Sequence, residues 1–273
     1  NLCSYCRVLF RVEQTPQKEH FRYCMKIISL GAGVQSTTLV LLAHHKEIEP
    51  PDYAVFADTG WEPKAVYKHL DWLESYLNFP VVRVDAGNLK DKMLKDKRFR
   101  PIPLFTSNKG MGKRQCTFDF KIRPVQKFCK PHSSKGNPVI LQMGISTDEW
   151  ARMKPSRVQY IEHTWPLIDD LDMSRKDCMA WLEKKGYKVP PKSACLGCPY
   201  HNDEQWREIK NKWPEEFEET CQVDEALRNC PTYEGELYLH RSLKPLRDVD
   251  FRTMEEQGQL NFFTDECEGM CGV

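Results

Sequence analysis

The chain lacks any long apolar run. None of its segments approaches the roughly 18 consecutive apolar residues that a membrane-spanning helix needs, and no signal-peptide core opens it. Internal repeats and low-complexity linkers are also missing. We therefore expect a cytoplasmic protein with no membrane partner, whose 273 residues form one sizeable core with appendages.

Net charge is nearly absent, because 40 Lys and Arg balance 39 Asp and Glu. The balance hides two opposite segments: residues 90–135 carry fourteen basic and three acidic side chains, whereas residues 202–236 carry four and eleven. A basic segment beside an anion-binding crevice favours nucleotide phosphates, sulfate esters or a nucleic-acid backbone. A solvated surface balanced by acids elsewhere is the alternative.

Cysteine, in contrast, is abundant, with twelve residues. A disulfide framework is one reading of this number, but the chain is too long and too rich in Trp to resemble a small secreted scaffold. The spacing of the cysteines suits metal binding in a reducing compartment.

The first of two cysteine groups lies at the N-terminus. Cys3 and Cys6, then His20 and Cys24, have the pair-and-pair spacing of a tetrahedral structural zinc site. Such knuckles contact nucleic acid or a partner protein, or simply stabilise the fold. A leader with incidental cysteines is the alternative.

The most informative segment is a strand that turns into a helix. The apolar run Lys26–Leu30 is followed by Gly31, Gly33 and a Ser/Thr cluster that opens a helical stretch. The N-terminus of a helix presents unpaired N–H groups and a positive dipole end, so it binds anions. Ser36 and Thr37 are expected to cap the helix or to donate to phosphate oxygens. The loop has neither the Lys of a Walker A motif nor the register of a dinucleotide fold, and a plain strand–helix turn is the alternative.

A second strand–loop–helix unit follows. Residues 53–57 read as a buried strand that ends in Asp58, Thr59 and Gly60, and the periodicity predicts a helix over 63–77. Parallel strands place the loops at their carboxyl ends on one crevice. Both polar loops are therefore expected to border a single site.

The patterning predicts an α/β fold with a doubly wound, mostly parallel sheet, a small N-terminal zinc knuckle and a helical C-terminal region. Strands are expected near 26–30, 53–57, 80–85 and 138–143, and a capped helix from Ser174 to Gly186. The predicted division is a zinc-bearing appendage over 1–25, a nucleotide-binding core over 26–170 and a cysteine-bearing helical region over 171–273.

Several motifs in order resemble one family. Gly31-Ala-Gly-Val-Gln-Ser36 with Asp58-Thr-Gly60 resembles the PP-loop of the adenine nucleotide alpha-hydrolase superfamily, and within it the phosphoadenosine-phosphosulfate (PAPS) reductase-like family. Three further segments resemble motifs of the same family: residues 115–124, residues 143–149 with Arg152, and residues 193–201. The likeness runs from about residue 26 to residue 240.

This resemblance implies an enzyme that binds ATP with magnesium. It places the adenine nucleotide at Ser29, Gly31, Gly33, Gln35, Ser36, Thr37, Asp58, Thr59, Gly60, Gly144 and Arg152. By the same likeness Asp58 holds ribose or a bound magnesium. Gln35 stands where the family's loop usually has an acidic residue.

The second cysteine group is the pair Cys195 and Cys198 with Cys116, which resembles the cysteines of the family's iron–sulfur members. A four-iron cluster normally takes four Cys ligands, and the fourth is open: His201, Cys267, Cys271 or no protein ligand. A second zinc is the alternative. Lys121 and Arg123, near Cys116 in sequence, are candidates to activate its thiol.

The C-terminal segment carries a competing signal. Its Glu-Cys-x-Gly around Cys267 resembles the tail of assimilatory sulfonucleotide reductases, in which the cysteine attacks the sulfur of the substrate. Glu266 and Glu268 oppose a reactive thiolate there, and the following His is missing. Cys271 is a candidate resolving thiol or metal ligand. The remaining cysteines, Cys129, Cys178, Cys221 and Cys230, are expected to be buried.

Three functions remain. The first is an iron–sulfur enzyme that adenylates a nucleic acid, DNA or tRNA, and installs sulfur taken from a donor. The second is a sulfonucleotide reductase that releases sulfite. The third is a non-catalytic nucleic-acid-binding module. We favour the first, because a reductase needs neither a zinc knuckle nor a long basic segment.

Overall fold

The computed structural model describes residues 24–252 except residues 97, 99 and 109. Three predicted zinc ligands, Cys3, Cys6 and His20, lie outside the described residues, as do Cys267 and Cys271. The zinc knuckle and the reactive tail therefore stay predictions.

Strands and helices alternate along the described part of the chain. The strands are β1 (Lys26–Leu30), β2 (Tyr53–Asp58), β3 (Val81–Asp85), β4 (Phe105–Thr106), β5 (Val139–Met143), β6 (Ile161–Thr164) and β7 (Leu237–Tyr238). The α-helices are α1 (Val34–His44), α2 (Lys64–Tyr76), α3 (Leu89–Lys95), α4 (Arg123–Cys129), α5 (Pro166–Asp169), α6 (Arg175–Lys184), α7 (Asp203–Lys212) and α8 (Pro214–Ala226). Shorter turns are a π-helix at Thr117–Ile122 and 3-10 helices at Lys130–His132, Thr147–Arg152 and Leu246–Asp248.

Five strands form one sheet in the order β3-β2-β1-β5-β6, and every neighbouring pair is parallel. The predicted α/β class is confirmed. Central β1 pairs with β2 on one side and β5 on the other, with Ile27 opposite Tyr53 and Leu141. Strand β6 was not predicted, because its short sequence Ile-Glu-His-Thr lacks the apolar run of a buried strand. Strands β4 and β7 form a separate antiparallel pair.

Helices cover both faces of the sheet. Ile28 and Phe56 pack with α1, α2 and α6 on one face, whereas Ile27 and Val55 pack with Val125 of α4 on the other. The alternation follows from the two-residue period of a strand. The sheet is therefore doubly wound, and α6 is packed into this core.

The strand order creates a crevice between β1 and β5. The chain leaves β1 toward β2 and β3 on one side, and reaches β5 and β6 on the other, so the loops after β1 and β5 diverge there. Open parallel sheets bind ligands outside the carboxyl ends of the strands at such a switch point. The topology thus points to the loops that begin at Gly31 and Gly144.

Helix α1 begins earlier than the sequence predicts. Gly33 is its N-terminal cap residue, and no side chain caps it. Ser36 and Thr37 therefore lie inside the first turn, and the expectation that they cap the helix is wrong. The cause is the backbone of Ala32, whose φ of 57° turns the chain so sharply that helical geometry starts at Val34.

A third core cluster lies beyond the sheet, under the cysteine pair. Trp61, from the loop after β2, packs there with Trp206 of α7 and Phe217 of α8. Cys116 and Cys195 pack against this cluster while staying partly exposed. Within the described range, no helix combines the length and apolar character needed to cross a membrane.

Candidate functional site

A cavity of about 710 Å³ opens at the crevice between β1 and β5. Its volume lies in the usual range for a small-molecule site. Seven of the residues predicted to bind nucleotide line it, together with Lys121: Ser29, Gly31, Gly33, Gln35, Ser36, Gly144 and Arg152. The loops after both central strands thus contribute to one wall, as the topology requires.

The lining is strongly cationic. Among the described residues, seven Lys and Arg line the cavity against a single carboxylate, Glu149. The cations are Arg114, Lys121, Arg152, Lys154, Arg157, Arg175 and Lys192. Concentrating one sign of charge in a partly enclosed cleft raises the local concentration of ligands of the opposite sign. The cavity therefore selects anions.

The glycine loop is held by its own serine. The Gly31 N–H donates to Ser36 Oγ at 3.1 Å, and that hydroxyl donates to the Gly33 carbonyl at 3.3 Å. A Cβ on Gly144 would lie 2.8 Å from Ser36 Cα and 2.9 Å from its N. Only glycine permits the loop after β5 to approach the start of α1 this closely. Residues of the first turn of α1, Val34, Gln35 and Ser36, line the cavity there, and the N–H groups at the start of a helix have no helical partner.

Gln35 is fixed by three polar partners. Its Nε2 donates to Ser146 Oγ at 3.3 Å and to Glu149 Oε2 at 3.2 Å, and its Oε1 accepts from Arg175 Nη1 at 3.3 Å. An acidic side chain at this position could not donate to Glu149 and would place two carboxylates side by side. Arg152 pairs with the same carboxylate at 2.6 Å. The Gln35 amide therefore contacts Arg175 directly and Arg152 through the Glu149 carboxylate.

The three loop residues after β2 that were predicted to bind nucleotide do not line the cavity. Asp58 Oδ1 accepts from the Gly60 N–H at 2.7 Å and from the Tyr67 hydroxyl at 2.8 Å. Thr59 is 1% exposed, and Gly60, with a φ of 67°, packs against Asn88. Burial and the Asp58 carboxylate raise the pKa of Tyr67, which keeps it a donor.

Two other predicted residues also lie outside the cavity lining. Thr37 is buried, and its hydroxyl lies 3.0 Å from His69 Nε2. Burial lowers the pKa of His69 to about 4, so the ring is neutral near pH 7. Arg123 is exposed, pairs with Asp119 at 3.2 Å and lies over the Phe118 ring.

A second polar cluster, which we call the cysteine corner, comprises Thr59, Glu62, Lys121 and Cys195. The Cys195 Sγ lies 3.3 Å from Thr59 Oγ1 and 3.5 Å from Glu62 Oε1. Lys121 Nζ pairs with the same Glu62 oxygen at 3.4 Å, while the Glu62 side chain is fully buried. Because Lys121 also lines the cavity, it joins the anion-binding cavity to the cysteine corner.

The remaining cysteines flank this corner. Cys198 closes a turn with Cys195, since its N–H donates to the Cys195 carbonyl at 3.0 Å. Cys116 directly precedes the π-helix that carries Lys121. His201, a candidate fourth ligand, has both ring nitrogens engaged, one by Gln205 Oε1 at 3.1 Å and one by the Cys195 carbonyl at 3.0 Å.

The donor set suits a thiophilic cation. Two thiols stand in one turn, and Glu62 Oε2 is a buried carboxylate oxygen with no hydrogen-bond partner among the described residues. In the same part of the chain, no three His, Cys, Asp or Glu residues form a ready-made metal centre. Cys195 and Cys198 thus provide two of the predicted cluster ligands, and Cys116 packs against the same core cluster as Cys195.

Burial makes three further cysteines, Cys129, Cys178 and Cys221, unreactive. All four that were expected to be buried are buried: Cys129, Cys178, Cys221 and Cys230. Desolvation raises the thiol pKa of Cys129 and Cys221 to about 12 and that of Cys178 to about 11. A thiol that stays protonated is neither a nucleophile nor a metal ligand.

Sequence reasoning missed four cavity cations, Lys154, Arg157, Arg175 and Lys192. Arg114 belongs to the basic segment over 90–135, whereas these four lie outside it. A signal was present at the start of α6, where the capping box of Ser174 and Asp177 fixes the first turn that carries Arg175. Lys154 and Arg157 follow Arg152 closely in sequence, and this short basic run is the remaining signal.

No family model matches the chain. It is 25% identical to an uncharacterized nin region protein of Escherichia phage lambda, over 60% of this chain and 61% of that protein. It is 23% identical to an uncharacterized 37.8 kDa protein of Escherichia phage 186, over 87% and 86%. The chain thus spans less than two thirds of the lambda protein and most of the other.

Two solved structures align with the fold. A PAPS reductase from Candida auris in complex with phosphate has 11% identity and a TM-score of 0.43, covering 62% of this chain and 76% of that one. The U34-tRNA thiolase NcsA from Methanococcus maripaludis, with its 4Fe-4S cluster, has 16% identity and a TM-score of 0.41, covering 78% and 74%.

Proposed function

We propose that this chain is a PP-loop enzyme of the PAPS reductase-like family that binds ATP and transfers sulfur to a nucleic acid through an adenylated intermediate. The observation that supports the proposal is that one residue, Lys121, belongs both to the cavity and to the cysteine corner. The cationic cavity at the switch point thus adjoins the cysteine corner. An anion activated in the cavity would therefore lie next to thiols.

The nucleotide phosphates are assigned to the first turn of α1. The free N–H groups there and the Ser36 hydroxyl would donate to phosphate oxygens. Arg152 and Arg175 would neutralise charge that develops on the leaving pyrophosphate, because Glu149 and Gln35 hold them at the cavity wall. Asp58 is not assigned to the nucleotide, since one of its oxygens already accepts two hydrogen bonds and it does not line the cavity.

We assign an iron–sulfur cluster to Cys116, Cys195 and Cys198. Such a cluster, when bound, would supply an iron position that carries sulfur. Lys121 and Glu62 would act at its border, with the lysine balancing the buried carboxylate and presenting a cation toward the cavity. A structural zinc is assigned to Cys3, Cys6, His20 and Cys24 on their spacing.

A sulfonucleotide reductase is the second candidate. The observation that favours it is the same excess of cations, since a sulfonucleotide carries both sulfate and phosphate groups that the cavity could hold. In that reaction Cys267 would be the nucleophile. The two candidates differ in whether ATP is consumed and which cysteines are essential.

The first prediction concerns the glycine loop. Gly33→Ala should leave the melting temperature unchanged, because the added Cβ meets no atom within 4 Å in the free protein. It should weaken ATP binding, since that Cβ would occupy space that the phosphates use. Ser36→Ala should weaken binding about tenfold or more, the loss expected for a hydrogen bond to a charged group. Isothermal titration calorimetry that finds wild-type ATP affinity in both variants would exclude this placement.

The second prediction concerns metal content. Protein purified without oxygen is expected to contain one zinc, held at the N-terminal ligands, and one iron–sulfur cluster, held at the cysteine corner. Elemental analysis with absorption spectroscopy measures both. Cys6→Ser should lower zinc alone and Cys198→Ser iron alone. Two zincs without iron would refute the cluster assignment.

A further inference from the structure

We propose that the mouth of the cavity binds an unpaired segment of nucleic acid, with bases stacked on Phe118 and Trp150 and phosphates held by Lys154, Arg157 and Lys192. We call these five residues the rim. The inference deepens the proposed function, on which it rests, by assigning a single-stranded or flipped-out substrate to the nucleic-acid side of the reaction.

Two exposed aromatic residues belong to segments that line the cavity. Phe118 lines the cavity yet is 44% exposed, and Trp150 is 69% exposed between the lining residues Glu149 and Arg152. Leaving such rings in water forgoes the stabilisation that their burial would provide. Rings placed this way at a site entrance are available to stack on a ligand.

Guanidinium groups accompany the aromatic rings. The Arg123 guanidinium lies 5.0 Å from the centre of the Phe118 ring, and that of Arg114, a lining residue, lies 5.1 Å from the centre of the Tyr200 ring. Arginine planes and aromatic rings together form the stacking surfaces used for unpaired bases. The entrance thus presents several flat, cationic surfaces.

The cavity carries more positive charge than the phosphates of one nucleotide, held by the glycine loop with Arg152 and Arg175, would require. Lys154, Arg157 and Lys192 line the cavity, are exposed, and form no ion pair with a carboxylate among the described residues. Exposed cations beside an already cationic cavity repel one another, and a bound anion would relieve this repulsion. A phosphodiester backbone provides regularly spaced anions at such a rim.

An unpaired strand fits this rim better than a duplex does. In a duplex the base faces are stacked on one another, so Phe118 and Trp150 would find no π-face to contact. An unpaired base offers a face to each ring, and its reactive edge can then enter the cavity. The cations of the rim would bind the phosphate backbone, and the aromatic rings would favour unpaired over paired bases.

The test is binding of single-stranded oligonucleotides of about 12 nucleotides, within the usual site sizes, by fluorescence anisotropy without adenine nucleotide. Trp150→Ala and Phe118→Ala should each weaken binding about tenfold, the scale of one lost stacking contact. Trp150→Phe should restore most of the loss. Tyr76→Ala is the matched control and should bind as the wild type does. Tyr76 is similarly exposed at 39%, but it packs with Trp72 and Tyr187 in a part of the chain that does not line the cavity.

Two further measurements sharpen the result. The wild type should bind the single strand at least about tenfold more tightly than the duplex of the same sequence, in DNA and RNA alike. Lys154→Gln should reduce the slope of log affinity against log salt by about 0.7, the value for one phosphate contact on a single strand.

Equal affinity for the duplex, or wild-type affinity in both Trp150→Ala and Phe118→Ala, would overturn the inference. ATP affinity, measured separately by calorimetry, keeps this outcome distinct from failure of the proposed function. If ATP binds but the single strand does not, the rim is wrong while the nucleotide site stands. If the strand binds as expected and ATP does not, the rim stands and the sulfur-transfer proposal falls.

Discussion

Cys195→Ser and Cys198→Ser proteins are expected to lose ATP-dependent sulfur incorporation into nucleic acid almost completely. Both thiols lie in one turn, and Cys195 contacts Thr59 and Glu62, through which it reaches Lys121 at the cavity wall. Changing groups that merely support a metal ligand costs about 10–100-fold. Removal of a ligand itself should therefore exceed about 100-fold.

The measurement is the release of pyrophosphate or AMP, together with sulfur incorporation, in the presence and absence of nucleic acid. Turnover should require nucleic acid in the wild type. Cys116→Ser should behave as the two variants do, whereas Cys267→Ser should remain active. Cys178→Ala is the matched control, because that thiol is buried with a pKa raised to about 11 and takes no part.

The opposite pattern would identify a reductase. Sulfite release from a sulfonucleotide that disappears in Cys267→Ser, with no ATP turnover on any nucleic acid, would reverse the ranking of the two candidates. Sulfite release that depends on Cys267 would therefore contradict the sulfur-transfer proposal directly, whereas the absence of ATP turnover alone would not.

The sequence predicted those elements whose bounds are determined by nearby residues. Strand β1 was predicted at its observed bounds, and the capping box at Ser174 identified the start of α6. In both, apolar runs or cap residues determine the structure without help from distant contacts. The start of α1 was not predicted, because it depends on the positive φ of Ala32. Residue types in the loop do not indicate that φ.

The candidate site was predicted in part for the same reason. Residues of the loop after β1 line the cavity, since a strand followed by a glycine loop and a helix determines its own geometry. The loop after β2 was assigned to the same crevice, but its side chains are engaged elsewhere, Asp58 with Tyr67 and Thr59 with Cys195. Which neighbour a polar side chain finds depends on packing that sequence spacing does not encode.

Four of the seven cavity cations were not predicted from the sequence. Lys192, which precedes the cysteine pair, and Arg175 of α6 line the same cavity as Arg114, although they are far apart along the chain. Only the crossover connections of the doubly wound sheet bring such segments to one edge. The basic segment over 90–135 indicated an anion, but not where most of the cations would meet.

Gly197→Ala is expected to disrupt the cysteine corner and to destabilise the protein. Gly197 lies in the turn between Cys195 and Cys198, and a Cβ there would lie 2.1 Å from Trp61 Cη2 and 2.6 Å from Cζ3. Trp61 is 3% exposed, and its carbonyl accepts from the Leu196 N–H at 2.9 Å, so the ring and the turn are held against each other. Neither the Trp61 ring nor the turn can move to make room without disrupting the core cluster that contains Trp61.

Overpacking of a filled core lowers the free energy of unfolding by about 1–3 kcal/mol or more, and each kcal/mol lowers the melting temperature by about 2–4 °C in a chain of this size. Calorimetry of the Gly197→Ala protein should therefore show a clear fall in melting temperature. Iron content should fall with it, because the two thiols move apart from Glu62. Gly33→Ala is the matched control for stability, since its Cβ enters open space. A Gly197→Ala protein with the melting temperature and iron content of the wild type would mean that the turn does not hold the cluster against Trp61.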